Sequence, residues 1–231
     1  MDKDKYFAET AFSDTDAVAR YTEGPLRFVP GFADMQRMAS LLLAERVPED
    51  GRVLIVGAGG GLELRAFAEA QPSWCFDGVD PSAEMLALAE QTMGPLASRV
   101  HLHHGIIDIA PDGPFDAATC ILTMHFVERE ERRRMAAEIR TRLQPGAPFV
   151  AAHLSIPQSD GERAVWLSRY AAFAVGSGVE SENANKAREA VDSQLSILTP
   201  EEDEAILRES GFSNVSLFYV GFAFRGWVAY A

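Results

Sequence analysis

The sequence predicts a doubly wound α/β fold built on a mostly parallel β-sheet. From residue 52 onward, short runs rich in β-branched and aromatic residues alternate with segments of helical length. Several of these runs are apolar throughout, as expected of strands buried on both faces. The first run, "RVLIVG", leads directly into the glycine-rich turn "GAGGG" at 57–61, which is typical of the first strand-to-helix connection in such sheets.

Five strands and the helices between them follow in order. The predicted strands are "RVLIVG", "WCFDGVD", "RVHLHHG", "FDAATCIL" and "PFVAAHL", with helices at 61–70, 82–93 and 128–143. The stretch Gln144-Pro145-Gly146 is a stop signal after the third helix. The stretch Thr199-Pro200-Glu201-Glu202 predicts that another helix begins there with a capping box.

The C-terminal region carries a hairpin pattern instead of another crossover. After Gly211, the runs "NVSLFYVGFAF" and "GWVAYA" are joined through Arg225-Gly226. We therefore expect a seven-stranded sheet that is mostly parallel and ends in an antiparallel C-terminal hairpin.

Two regions outside the strand pattern look helical. We expect residues 1–50 to form an N-terminal helical cap on an α/β domain at 51–231, which carries a helical insertion at 156–198. One apolar stripe comprises Met35, Met38, Leu42 and Leu43, and another comprises Trp166, Tyr170 and Phe173. Packing against the sheet is one interpretation of both stripes, and a lid over a ligand at the strand ends is the other.

Charge and hydropathy exclude some classes of partner. The formal net charge of −13 produces a field that repels nucleic acid. The arginines between residues 129 and 142 alternate with glutamates at helical spacing, which indicates a solvated helix face. No apolar run approaches the roughly 20 residues needed to span a bilayer, and no leader pattern is present. We expect a cytoplasmic protein with no membrane or nucleic-acid partner.

The spacing of the glycines restricts the class of ligand that the turn can bind. Glycines at 57, 59 and 61 give G-x-G-x-G, whereas a dinucleotide fingerprint would need glycine where Leu62 stands. No Gly-Lys-Ser or Gly-Lys-Thr follows, so the turn is not a P-loop. Asp80 ends the second strand about twenty residues later, where a carboxylate can accept both hydroxyls of a ribose. A nucleoside is thereby indicated, although Asp80 could instead be a turn residue before the next helix.

Four stretches together resemble the class I S-adenosylmethionine-dependent methyltransferases: "VLIVGAGGG", "FDGVDPSAEMLALAE", "FDAATCILTMHFV" and "LRESGF". The resemblance covers about residues 50–231. It implies a Rossmann-like methyltransferase fold and S-adenosylmethionine as the cofactor. It also implies that the cofactor contacts a set of residues along the strand ends, namely Gly57, Ala58, Gly59 and Gly61 near the methionine portion, Asp80 at the ribose, and Pro81, Ile106 and Ile107 at the adenine.

A narrower resemblance links the chain to the carboxy-S-adenosylmethionine synthases, enzymes of tRNA wobble-uridine modification. It lies in "VPGFADMQRM", "ILTMHFV", "KAREAVDSQLSILTPEEDEAILRESGF" and "LFYVGFAF", and extends the coverage to about residue 29. It implies a homodimer and a carboxylated cofactor whose extra carboxylate pairs with Arg188. Arginine suits that task through its planar fork of donors, but an ordinary exposed helix arginine is the alternative.

At four positions the chain departs from these patterns. Three of the cofactor-binding positions that the narrower resemblance implies carry apolar side chains, namely Phe32 for an aromatic hydroxyl, Ile106 for an aspartate and Ile121 for an asparagine. Ile55 stands where the broader pattern has an acid. Each lost hydrogen bond is worth roughly 0.5–1.5 kcal/mol. A catalytically silent fold that binds a nucleoside or a protein partner is therefore a third hypothesis.

Methyl transfer from a sulfonium needs an in-line nucleophile in a dry pocket and no nucleophile on the protein. His125 and His153 are the candidate bases near the strand ends, with packed histidines as the alternative. We expect no metal site, because His101, His103 and His104 have no matching carboxylate or cysteine cluster. The leading prediction is a methyltransferase that acts on a small molecule.

Overall fold

The computed structural model describes residues 21–159 and 161–231, and its centre is a seven-stranded sheet in the order β3-β2-β1-β4-β5-β7-β6. The strands are β1 Arg52–Val56, β2 Cys75–Asp80, β3 Val100–His104, β4 Ala117–Ile121, β5 Pro148–Leu154, β6 Ser213–Gly221 and β7 Phe224–Tyr230. The first five strands pair in parallel, while β7 is antiparallel to both β5 and β6. The predicted doubly wound, mostly parallel sheet with an antiparallel C-terminal hairpin is confirmed.

Helices cover both faces of this sheet. Those in the described residues are α1 Gly24–Phe28, α2 Phe32–Ala44, α3 Leu62–Ala70, α4 Ala83–Met93, α5 Arg129–Thr141, α6 Glu162–Gly176, α7 Ser181–Gln194 and α8 Pro200–Glu209. Short 3-10 turns lie at Tyr21–Glu23, Gly94–Arg99, Ile107–Ile109 and Met124–Phe126. Among these helices, none is both long and apolar enough to cross a bilayer.

The continuous apolar run of β1 reflects burial on two faces. Val53 and Ile55 belong to a core shared with α2 and α3. Leu54 and Val56 point the other way, into a core shared with α5 and α8. Since successive side chains of a strand alternate between faces, only an unbroken apolar sequence satisfies both cores.

The predicted capping box opens α8. The Thr199 hydroxyl accepts a hydrogen bond from the Glu202 backbone N–H at 3.2 Å, and a Glu202 carboxylate oxygen accepts one from the Thr199 N–H at 2.9 Å. Two N–H groups at the start of the helix thereby gain partners.

The predicted position of the C-terminal turn is wrong. The hairpin turns at Phe222 and Ala223, whereas Arg225 and Gly226 lie within the ladder of β7. A Cβ at position 226 would lie 2.8 Å from the ring of Phe218, so close packing requires this glycine inside the strand. A glycine in a strand can mark such a close approach as readily as a turn.

The predicted apolar stripe of α2 is also partly wrong. Met38 is 36% exposed, whereas Met35 and Leu43 are buried as expected. The face turned to the protein includes polar residues and comprises Phe32, Met35, Gln36, Ala39, Ser40 and Leu43. Because hydrophobic residues define a stripe in the sequence, a face that includes buried polar groups is misplaced by that criterion.

The aromatic stripe of α6 packs on the C-terminal hairpin and on α1. The ring centroid of Tyr170 lies 5.3 Å from that of Phe28 and 6.1 Å from that of Phe224. Phe173 meets Phe222 edge-on at 6.1 Å. These distances are those of ordinary aromatic packing.

Candidate functional site

The glycine-rich turn lies at the point where the order of the parallel strands reverses. β1 has β2 on one side and β4 on the other, and the turn follows β1 at its carboxyl end. Ligands of open α/β sheets bind in the crevice at such a switch point.

Two glycines of the turn are required by the protein's own neighbouring side chains. A Cβ on Gly57, whose φ is +80°, would lie 1.9 Å from the hydroxyl oxygen of Thr123. A Cβ on Gly59 would lie 2.6 Å from a carboxylate oxygen of Asp80. The missing side chains therefore allow Asp80 of β2 and Thr123 after β4 to approach the turn. The backbone N–H groups from Gly57 to Gly61 all donate hydrogen bonds within the protein.

Asp80 is held in one orientation by the backbone. Its Oδ2 accepts a hydrogen bond from the Gly59 N–H, and its Oδ1 accepts one from the Ser82 N–H, each at 2.9 Å. Burial raises the pKa of this carboxyl, while the Ser82 and Gly59 N–H groups oppose that rise. The geometry suits both interpretations of Asp80, since each oxygen can accept a further hydrogen bond from a ligand.

A cavity of about 20 Å³ lies between the glycine turn, α2 and the end of β4. It is lined by Tyr21, Phe32, Gln36, Gly57, Ala58, Gly59, Leu62, Glu63, Ile121 and Leu122. Five of the predicted cofactor-binding residues are thus brought together, namely Phe32, Gly57, Ala58, Gly59 and Ile121. The ring of Tyr21 lies against Gly60, where a Cβ would come within 2.5 Å of it. The space holds about one water molecule, so a nucleoside enters only if side chains that line it move.

The other predicted cofactor-binding residues lie around this cavity or away from it. Gly61 packs against Ala89 of α4, and the carbonyl of Pro81 lies 2.9 Å from the imidazole Nε2 of His104. Beyond the end of β3, Ile107 is buried while Ile106 is 42% exposed. Arg188 lies on α7, where its guanidinium is 3.5 Å from Glu189, and it is not among the described residues that line the cavity.

The two histidines predicted as bases are both buried inside the protein. His125 is buried and its Nδ1 accepts a hydrogen bond from the Leu154 N–H at 3.3 Å. Burial lowers the pKa of His125 well below its ordinary value, and the charges of His153 and Arg132 add to this effect. The Nε2 of His153 lies 3.2 Å from Oδ1 of Asp203. Neither histidine is among the described residues that line the cavity.

The sequence pattern did not predict the buried ionic cluster around α5. Arg132 is fully buried, pairs with Asp203 of α8 and donates to the carbonyls of Val127 and Ser196. Its neighbours Arg133 and Arg134 pair with glutamates one turn earlier, as expected for a solvated face. Helical spacing could have indicated the burial of Arg132, because it shares one face of α5 with Met135, Ala136 and Ile139.

Five cavity-lining residues were not predicted, namely Tyr21, Gln36, Leu62, Glu63 and Leu122. Glu63 and Gln36 are buried polar side chains, and Leu122 has a φ of 56°, in the left-handed region. Such a backbone conformation costs a non-glycine residue of order 1–3 kcal/mol and is concentrated at functional sites. Helical spacing could have indicated Glu63, which lies four residues before the buried Phe67.

Residues 53–146 match the sequence model of a family described as a methyltransferase domain. The predicted resemblance to methyltransferases is confirmed. The matched segment runs from β1 to the loop before β5 and contains the glycine turn and Asp80. Together with the relatives of the chain, it supports the predictions of a class I methyltransferase enzyme and of S-adenosylmethionine as its cofactor.

The chain is also similar to curated and solved proteins. The chain is 26% identical over 221 residues to a carboxy-S-adenosyl-L-methionine synthase of Chromohalobacter salexigens, a match that covers 94% of this chain and 82% of the relative. An O-methyltransferase family protein from Burkholderia thailandensis is 12% identical, with a TM-score of 0.70 over 97% of this chain. PigF, solved with SAH, is 16% identical, with a TM-score of 0.70 over 99% of this chain. The chain spans 63% of each of these two solved chains, and at these identities the likeness shows the fold.

Proposed function

We propose that the protein is an S-adenosylmethionine-dependent methyltransferase that transfers a methyl group in line to a small-molecule acceptor. The observation that carries the proposal is the Asp80 carboxylate, fixed at the end of β2 by the N–H groups of Gly59 and Ser82. A carboxylate in this place beside a glycine turn suits the two hydroxyls of a ribose.

The residues present fit the cofactor, provided that the ring of Tyr21 moves away from Gly60 and the cavity widens. When bound, the cofactor supplies an electrophilic methyl group on a positively charged sulfur. Phe32, Ile121 and Leu122 exclude water from the cavity side of the sheet. Ile106 and Ile107, with Pro81 and Gly61, would border the adenosine. His125 and His153 do not line the cavity, so the proposal assigns them no proton-transfer step.

The acceptor is expected to be small because the surface repels polyanions. The net charge is −13, and the surface arginines of α5 are paired with glutamates. In this proposal α2, α6 and α7 form the helical cover of the acceptor pocket, as parts of the expected N-terminal cap at 1–50 and of the expected insertion at 156–198. Residues 1–20 of that cap lie outside the described residues.

Titration calorimetry with S-adenosylmethionine and S-adenosylhomocysteine tests the proposal. Both ligands should release or absorb heat with one site per chain and raise the melting temperature by mass action. Absence of heat and of a thermal shift with both ligands would overturn the proposal and favour the catalytically silent fold.

A carboxy-S-adenosylmethionine synthase-like enzyme is the second candidate. It is favoured by the curated relative from Chromohalobacter salexigens, which matches 94% of this chain. In this candidate Arg188 pairs with the extra carboxylate of the cofactor, for which α7 would have to approach the cavity. Arg188→Ala should then abolish any preference for the carboxylated cofactor and leave binding of the plain cofactor nearly unchanged. Lys186→Ala on the same helix is the control. Equal affinity of the unaltered protein for both cofactors would exclude this candidate.

A further inference from the structure

Two polar side chains are buried at the cavity, one on α3 and one on α2. Glu63 lies in the first turn of α3 and is 8% exposed, and Gln36 lies on α2 and is 6% exposed. Both line the cavity together with the backbone of Gly57 and Gly59. Buried polar groups at a cavity need partners, and the partners available to these two differ.

Glu63 has a hydroxyl partner but no cationic one among the described residues. Its Oε1 accepts a hydrogen bond from the Thr119 hydroxyl, and it takes part in none of the ion pairs found in the described parts of the chain. The titratable groups that face it are the phenol of Tyr21 and the thiol of Cys120, which carry no positive charge. Burial raises the pKa of Glu63 to about 8, although the Thr119 hydrogen bond opposes the rise. At pH 7 the free protein therefore holds this carboxyl mainly in its neutral form.

Gln36 presents an unused donor. Its side-chain Nε2 is buried and has no hydrogen-bond partner in the described residues. A buried donor without a partner costs about 1–3 kcal/mol, so the group is expected to be satisfied in some state of the protein. A ligand that brings an acceptor oxygen into the cavity would provide that partner.

The amino-acid end of S-adenosylmethionine carries the two complementary groups, an ammonium and a carboxylate. The end of β1 offers no carboxylate for the ammonium, since Ile55 is apolar and buried in the core. The acid nearest the glycine turn from α3 is Glu63, and the donor from α2 is Gln36. A carboxylate buried beside a cation is far better compensated than one buried alone.

We propose that Glu63 and Gln36 hold the amino-acid end of the cofactor, with ionised Glu63 paired to the ammonium and the Gln36 amide donating to the carboxylate, so that binding releases the Glu63 proton to solvent. This inference rests on the proposed function and names the residues that would bind the amino-acid end of its cofactor. The ammonium stays protonated throughout, and the released proton comes from the carboxyl group of Glu63.

Two ligands that differ only in this end provide the test. S-adenosylhomocysteine carries the amino-acid end, and 5′-methylthioadenosine lacks it. By calorimetry, the unaltered protein should bind the first at least roughly tenfold more tightly, because hydrogen bonds to charged groups are worth about 1.5–3 kcal/mol. Glu63→Gln should remove most of that preference and leave the affinity for 5′-methylthioadenosine unchanged. Gln36→Met should reduce the preference in the same direction.

Proton release gives an independent readout. Titrations at pH 7 in phosphate and in Tris, which differ in ionisation enthalpy, should show nearly one proton released per S-adenosylhomocysteine bound. The Glu63→Gln protein, and 5′-methylthioadenosine with any variant, should show none. Glu69→Gln is the matched control, since Glu69 lies on the same helix in an exposed ion pair with Arg65.

The outcomes separate the two proposals. If neither ligand binds the unaltered protein, the proposed function and this inference both fail. If both ligands bind but Glu63→Gln keeps the full preference and no proton is released, this inference alone is wrong and the proposed function stands.

Discussion

At the scale of single residues, some residues of the site can be predicted from the sequence and others cannot. Gly59 and Asp80 could be predicted because their spacing follows from the geometry of the first crossover. Gln36 could not be identified, because a polar residue on a helix ordinarily faces solvent. Helical spacing places Glu63 on the buried face of α3 but does not indicate that this face meets a cavity. Only the packing of α2 and α3 over the glycine turn encloses them.

Asp80 is predicted to control binding of every adenosine-containing ligand. Asp80→Asn keeps the shape but loses the charge and one acceptor, so the affinity for both S-adenosylhomocysteine and 5′-methylthioadenosine should fall by about tenfold or more. Calorimetry measures both affinities. Asp112→Asn, at an exposed aspartate, should change neither. An Asp80→Asn protein with full affinity would assign Asp80 to the turn alone.

Glu63 is predicted to impose a pH dependence on the ligand-free protein. Its pKa is raised by burial from 4.5 to about 8, so its stabilising contribution is complete below pH 4.5 and is lost as the pH rises through 8. The linked change in the free energy of unfolding is at most about 5 kcal/mol. Glu63→Gln should flatten the stability profile between pH 4.5 and 8 in urea titrations. A variant with the same slope as the unaltered protein would show that Glu63 is ionised in the free protein.

At the scale of secondary-structure elements, a buried ion pair joins α5 to α8. Arg132→Met would leave the Asp203 carboxylate buried without its main partner, which costs about 3–5 kcal/mol. The double variant Arg132→Met/Asp203→Leu should recover most of that loss, because Nε of Arg132 and Oδ2 of Asp203 have no partner among the described residues even in the intact pair. Urea unfolding measures both variants. Arg133→Met, an exposed control, should stay within about 0.5 kcal/mol of the unaltered protein.

The region around this ion pair, which includes His125 in the turn Met124–Phe126, is expected to be sensitive to acid. The pKa of His125 is lowered by burial, so its stabilising contribution is present above its unfolded pKa of about 6.5 and is lost as the pH falls below that value. For Asp203, burial raises the pKa, but the charges of His153 and Arg132 outweigh it and the pKa is lowered. Its contribution is therefore lost only below pH 3.8.

A measurement in the Glu63→Gln background isolates this effect, since the opposing slope of Glu63 is then absent. The free energy of unfolding should fall between pH 6.5 and 4.5, and His125→Gln should remove that fall. A profile that is flat in this range before His125 is changed would contradict the prediction.

The elements themselves were predictable where local signals agree. The capping box of α8 and the strands β1 to β5 follow from short-range chemistry that holds in any context. The hairpin turn was misplaced because Gly226 serves side-chain packing, which depends on the partner strand. The buried face of α2 was misplaced because it contains polar side chains that only the assembled cavity explains.

At the scale of the whole molecule, the doubly wound, mostly parallel sheet could be predicted from the alternation of strands and helices, because parallel neighbours need crossover connections. The size of the cavity could not be predicted from the sequence. Tyr21 lies against the glycine turn through contacts between segments far apart in the sequence. No pattern of neighbouring residues encodes such a distance.

The position of β7 has a consequence for synthesis on the ribosome. β7 follows the other described strands in the chain, yet it lies inside the sheet between β5 and β6. Until it emerges, the backbone of β5 is an open edge flanked by apolar side chains, which favours association with other nascent chains. The sheet therefore closes only after translation has passed Tyr230, and a stalled or truncated product is a natural client for chaperones.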